Sequence, residues 1–292
     1  MKFTEIPKVE YAIIGGSGTW AGEFPESTGF KGVTVLEKEM EFDTPFGTSQ
    51  QMKLLELSAE VTADGRPRRL LTVPFHGYHG LAPYNTPSEQ IFWVFKEAGV
   101  KYIIAEGSVG GINHLLDPGD IVIPHDFVDF TKRPTNIHRF TKNIVRMAQP
   151  TCPALRRILT EKAREEYPRV FPRGVYGNSE APRFETASEI RFMADAGCDI
   201  TGHTMIPEVY LARAIGACYA SAYLVSNYAE GVEDPSWKGE SIFDHYRDSA
   251  DKIGRVTLSA IAAIEPEHTD CCCKDYLIEV PDTVQNRIED KQ

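Results

Sequence analysis

The feature that most constrains this chain is a recurring short apolar run that stops at glycine or a polar residue. The runs are "YAIIGG", "VTVLE", "MKLLEL", "LLTVPF", "YIIAEG", "DIVIPHDF" and "CYASAYLVSN". They are short and rich in Val, Ile and Leu, so they read as strands. Amphipathic stretches lie between several of them: "TPSEQIFWVFKEAG", "ALRRILTEKAREEY", "TASEIRFMADAG", "PEVYLARAIG" and "SIFDHYRDSADKIGRVTLSAIAAI". The first has a Thr cap, Pro at the first helical position and a stop at Gly99. Strands alternating with helices predict an α/β fold with a mixed or parallel central sheet. The strands between 33 and 75 have no helices between them and are expected to be antiparallel. Ligand groups are then expected at strand C-terminal ends and in the loops that follow.

No fixed-period repeat and no Ser/Gly linker divides the chain. A length of 292 residues suits one large domain, with two smaller ones as the alternative. The formal net charge is -11, which makes a nucleic acid polymer or an anionic membrane surface an unsuitable partner. A phosphate site would have to be a local positive pocket. "MKFTEIPKVEY" lacks an apolar signal core, and no apolar run approaches the ~20 residues of a membrane helix. A cytoplasmic protein is expected. Cys152, Cys198 and Cys218 read as core residues. Cys271, Cys272 and Cys273 are contiguous and lack the C-x-x-C spacing of zinc sites, so no metal is expected.

"IIGGSGTWAG" follows the first strand. Gly16, Gly18 and Ala21, with Glu37 further on, fit a dinucleotide fingerprint. The segment that should then be helical carries Gly22, Pro25, Gly29 and Gly32, which a helix tolerates poorly. The stretch reads better as a glycine-permissive loop meeting an anion through backbone N–H groups and the Ser17 and Thr19 hydroxyls, or simply as a tight strand exit. "EGSVGGIN" reads as a second such exit, with a backbone nest at Ser108 suited to phosphate. "PFHGYHG" gathers His76, Tyr78 and His79, which suit hydroxyl or phosphate contacts or a surface turn. His203 and Thr204 precede a helix whose first turn holds Glu208. Anions are readily bound at such a position, and Glu208 could simply complement the helix dipole. Asn227 ends a strand and offers both a donor and an acceptor, or forms a turn.

"IIGGSG", "SVGGINHLLDPGDIVIPHDFVDFT", "EAPRFETASEIR" and "CDITGHTMIPEVYLARAIGACYASAYLVSNYAEG" occur in this order. Together they resemble the trimeric purine nucleoside phosphorylase and methylthioadenosine phosphorylase family, from about residue 10 to 265. The resemblance implies one α/β domain around a mixed, partly barrel-like sheet flanked by helices, assembled as a homotrimer or dimer of trimers. It implies cleavage of a purine nucleoside by inorganic phosphate, with no cofactor. By the same resemblance Ser17, His76, Ser108 and Thr204 bind phosphate. Phe184 packs on base and sugar, and Tyr78 and His203 lie near the sugar. Glu185 and Asn227 hold the base and carry the catalytic role. His245 approaches the 5′ group. Glu185 with Asn227 resembles the 6-oxopurine branch, because a carboxylate accepts the N1–H of hypoxanthine or guanine but opposes the bare N1 of adenine.

Three positions depart from the family pattern. Its phosphate-binding Arg beside the histidine is missing, with Arg66, Arg68 and Arg69 or a neighbouring subunit as substitutes. Gly107 replaces a polar residue, and His203 replaces a Met. These departures leave methylthioadenosine phosphorylase, a water-using nucleoside hydrolase and a non-catalytic purine-binding paralogue as alternatives. The stretch from about 266 to 292, with "CCCKDYL", resembles a Cys-containing tail of some members and is expected to be non-catalytic.

Overall fold

The chain folds around one 11-stranded mixed sheet. The computed structural model describes residues 5–19, 21–74, 76, 82–233, 240–265, 271–281 and 283, with backbone alone at 240 and 241. Its strands in the first half are β1 (Tyr11–Ile14), β2 (Val33–Met40), β3 (Asp43–Thr44), β4 (Gly47–Thr48), β5 (Met52–Leu57) and β6 (Arg68–Val73). Then come α1 (Ser88–Ala98), β7 (Tyr102–Gly111), β8 (Ile121–Val122), β9 (Asp126–Asp129), β10 (Ile144–Val145) and α2 (Pro153–Glu166). The remainder is β11 (Val170–Phe171), β12 (Val175–Asn178), α3 (Ala187–Asp195), β13 (Ile200–Gly202), α4 (Met205–Ala214), β14 (Cys218–Tyr228), α5 (Glu240–Ala263) and β15 (Leu277–Ile278).

Each apolar run contributes residues to a strand, with "DIVIPHDF" divided between β8 and β9. β14, β7, β1 and β6 lie side by side and parallel, so their C-terminal ends share one edge. Strands buried on both faces read as continuous apolar runs, and β1, "YAII", is buried at all four residues. β6, β5 and β2 pair antiparallel, as the missing helices implied. At its far end β7 also pairs antiparallel with β13, and β12 and β9 continue from there. The sheet therefore folds over beside the C-terminal ends of β7 and β14.

Two expectations are corrected. "EGSVGG" is the continuation of β7, paired with β14 up to Gly111, so Ser108 sits in a strand opposite Leu224 and not in a loop nest. The Gly residues that suggested a loop serve close packing here: a Cβ on Gly107 would lie 3.0 Å from the Tyr223 ring. α1 begins one residue later than expected, with Pro87 in the cap position and no side-chain cap from Thr86. Its C-terminus is as expected, with Gly99 in the left-handed region at φ 88°. Ile91, Phe92 and Phe95 of α1 are buried, each stabilising the fold by roughly 1.5–3 kcal/mol.

The described part of the C-terminal stretch packs on the body. β15 pairs antiparallel with β10, and Cys273 is buried. No helix among the described residues is long and apolar enough to cross a membrane.

Candidate active site

The shared C-terminal edge of the parallel strands opens into a cavity of about 190 Å³. Ser17, His76, Ser108, Phe184, Glu185, His203, Thr204 and Asn227 all line it. Tyr78 and His79 lie outside the described residues. His245 does not line the cavity; Tyr246 does. Successive residues of a helix point about 100° apart, so the α5 register decides which of the two faces inward.

One end of the cavity is built by the loop after β1. Glu106, fully buried on β7, organises it: its Oε1 accepts from the backbone N–H groups of Gly16 and Thr19 and from the Thr19 hydroxyl. Glu106 Oε2 is buried without a hydrogen-bond partner. Burial pushes this carboxyl above its ordinary range, against the hydrogen bonds that lower it. The glycines here are steric requirements. A Cβ on Gly18 would lie 2.2 Å from Glu106 Oε2, and one on Gly16 2.2 Å from the Glu106 carbonyl and 2.6 Å from His76 Nε2. The loop presents Ser17, whose Oγ lies 2.6 Å from Ser108 Oγ; Ser108 Oγ also lies 2.8 Å from Tyr246 Oη. Three hydroxyls thus run along one wall.

His76 is buried beside them, with φ 53°. Its Nδ1 lies 2.8 Å from Glu208 Oε1, and Glu208 Oε2 accepts from Tyr219 Oη at 3.0 Å. Glu208 therefore does more than complement the α4 dipole, because it fixes the imidazole. Burial disfavours the imidazolium, but the Glu208 charge and hydrogen bond, with the Glu106 charge, outweigh it and hold the His76 pKa above 6.5. Among the described residues lining the cavity there is no Lys or Arg. Arg66, Arg68 and Arg69 are not substitutes. They lie at the other end of β6, roughly 16 Å of strand from Val73. Arg68 is held by the Ile261 carbonyl and Asp64, Arg69 by Glu56, and Arg66 is exposed in the preceding turn.

The other end holds Glu185 and Asn227. Glu185 Oε1 accepts from Ser179 Oγ and, at 3.1 Å, from Thr201 Oγ1. His203 Nε2 stands 3.3 Å from the same oxygen. That is close enough for charge pairing but misaligned for a hydrogen bond, and the nitrogen has no aligned partner. Burial raises the Glu185 pKa, but His203, Ser179 and its own backbone N–H outweigh burial and leave it below the ordinary range. Glu185 is therefore a buried carboxylate that stays ionised. Asn227 follows a bulge at Ser226 in β14, a device that re-aims a side chain. Its Nδ2 donates to the Tyr228 carbonyl and its Oδ1 accepts from Ser226 Oγ, both at 2.8 Å. One amide hydrogen and one lone pair remain for a ligand. Phe184 is exposed at the mouth. The loop carrying it ends at Thr186, which caps α3 in a capping box with Glu189. Arg133 clamps the same loop, contacting Glu180 and the Ile206 carbonyl.

The model of the phosphorylase superfamily matches residues 10–262. This chain belongs to the phosphorylase superfamily. Among relatives within it, a probable S-methyl-5′-thioinosine phosphorylase of Methanopyrus kandleri is 35% identical, covering 92% of this chain and 97% of its own. An S-methyl-5′-thioadenosine phosphorylase of Pyrococcus abyssi is 34% identical, covering 93% and 98%. Of solved structures, a methylthioadenosine phosphorylase from an antarctic soil metagenomic library superposes with a TM-score of 0.77 at 25% identity, covering 94% of this chain and 93% of that one.

The glycine loop after β1 and the amide near the end of β14 were legible in sequence, whereas the second glycine stretch was not. Glu106, Thr201 and Tyr246 were missed, and Glu208 was noted without its partner His76. Each acts through partners distant in the chain, as in the 132-residue separation of His76 and Glu208.

Proposed function

We propose that this protein is a purine nucleoside phosphorylase preferring 6-oxopurine nucleosides, including 5′-methylthioinosine. The observation that carries the base preference is the ionised, buried Glu185 sharing a cavity with Asn227. Such a carboxylate accepts the N1–H of a 6-oxopurine and repels the N1 lone pair of adenine. Among the described residues Ser179, Thr201 and His203 all meet Glu185 at Oε1, which leaves Oε2 to face the base. Asn227 meets O6 and N7 and supports the charge arriving on the purine.

In the reaction the C1′–N9 bond breaks with its electron pair going to the base, and a phosphate oxygen bonds to C1′. The base takes up the proton that hydrogen phosphate gives up, and ribose-1-phosphate, or its 5-methylthio form, is the other product. The hydroxyls of Ser17, Ser108 and Thr204 and the imidazolium of His76 hold the phosphate. Binding both reactants side by side provides the alignment, and no covalent enzyme intermediate is required. A homotrimer in the cytoplasm, acting in purine salvage, fits this reading; light scattering tests the assembly.

The protein is to be incubated with inosine, with and without phosphate. Hypoxanthine and ribose-1-phosphate are expected only with phosphate. No base release from any purine nucleoside refutes the reading. The absence of Lys and Arg from the described cavity lining favours a second reading, hydrolysis by water. Base release unaffected by phosphate removal, with free ribose, would select it.

A further inference from the structure

Cys152, Cys218, Cys271 and Cys273 converge. Their four Sγ atoms all lie within 4.8 Å of one another, and the Sγ atoms of Cys218 and Cys271 are 3.5 Å apart. Four thiolates around zinc at about 2.3 Å form a tetrahedron with edges of about 3.8 Å. The observed spacing therefore surrounds one centre. All four cysteines are free, and all are buried except the half-buried Cys271. We propose that these four cysteines bind a divalent thiophilic metal, Zn2+, in a closed structural site. The proposal departs from the sequence expectation of no metal. The missing C-x-x-C spacing is irrelevant because the ligands come from three places in the chain: the cap of α2, the start of β14 and the C-terminal stretch.

Three features support a metal over a chance gathering of core thiols. Cys271 and Cys273 flank Cys272, whose Sγ instead meets Gln149 Oε1 and Tyr276 Oη. Alternate residues thus face the centre while the middle one faces away. The backbone N–H of Cys273 points to Cys271 Sγ at 3.4 Å, a contact that favours a thiolate. Arg213, buried, donates to the Cys273 carbonyl at 3.1 Å. Its positive charge sits beside a centre that would carry two net negative charges with four thiolates and one dication. Four protein ligands leave no open position, so the role is structural. Cys218 begins β14 and Asn227 lies next to its last residue, roughly 30 Å away along the strand, so the site stands away from the cavity. Bound metal would staple the C-terminal stretch to α2 and β14.

The full chain is to be purified under reducing, chelator-free conditions and its zinc content measured beside its thiol count. About one zinc per chain is expected, released as a mercurial titrates the cysteines. Zinc should be retained in Cys272→Ser and lost in Cys271→Ser and Cys273→Ser. After zinc removal, Co2+ should give the visible absorption of a tetrahedral thiolate complex. Zinc-free protein that takes up neither metal overturns the proposal, whether its four thiols are free or paired as disulfides. So does zinc that persists in both tail variants. Should those variants fail to fold, the wild-type zinc content and mercurial release still decide.

Discussion

Replacing Glu208 with Gln keeps the shape of its side chain and removes one charge. Glu208 Oε1 is 2.8 Å from His76 Nδ1, and both residues are buried. At an effective dielectric of about 20, opposite charges this close attract by on the order of 6 kcal/mol before desolvation is counted. Desolvation opposes the imidazolium, and the net result in the native protein is a raised His76 pKa. The sign follows. His76 is charged at low pH and loses its proton as pH rises through its raised pKa, so phosphate binding weakens in that direction. Without the Glu208 charge, burial dominates and the proton is lost at lower pH. A hydrogen bond to a charged group is worth roughly 1.5–3 kcal/mol, so phosphate affinity near neutrality should fall about 10- to 100-fold. Steady-state kinetics of inosine cleavage, run as phosphate titrations across pH, read this directly. The KM for phosphate should rise and its pH dependence should move to lower pH, with the KM for inosine changed far less. A folded Glu208→Gln protein with an unchanged phosphate KM and pH profile refutes the role given to His76.

Exchanging Glu185→Ser with Asn227→Asp should move the ranking of kcat/KM from inosine towards adenosine, by about the 10- to 100-fold that one or two polar contacts discriminate; an unchanged ranking removes both residues from base recognition. Gly18→Ala places a methyl 2.2 Å from Glu106 Oε2 and should cost about 1–3 kcal/mol of stability in denaturant unfolding, with activity falling as Ser17 is displaced. Tyr246→Phe removes the hydroxyl beside Ser108; it should leave Tm within a few degrees of wild type and raise the KM for phosphate or nucleoside, whereas His245→Ala should alter neither KM.

The parts of this fold that sequence disclosed are those set by local physics. Apolar runs gave the strands, and the absence of helices between residues 33 and 75 gave the antiparallel order of β2, β5 and β6. Where sequence reading failed, a distant partner had changed the meaning of a local signal. "EGSVGG" looks like a loop because glycine is a poor strand former, yet Tyr223 of β14 requires the bare backbone of Gly107 and draws the segment into the ladder. Glu208 looks like a dipole partner until the fold delivers His76 to it. Cys152 and Cys218 look like small core hydrophobes until the C-terminal stretch returns beside them. Placing the ligand residues on one rim requires only that strands end together, which alternation predicts. Choosing their protonation states requires knowing which side chains meet, and that is fixed by pairings such as Glu106 with Gly16, 90 residues apart. The end proposed to bind the base was the more legible of the two because Glu185 and Asn227 line the cavity themselves. The end proposed to hold phosphate was less so, because His76 owes its raised pKa chiefly to Glu208, a carboxylate that sequence alone reads as a partner of the helix dipole.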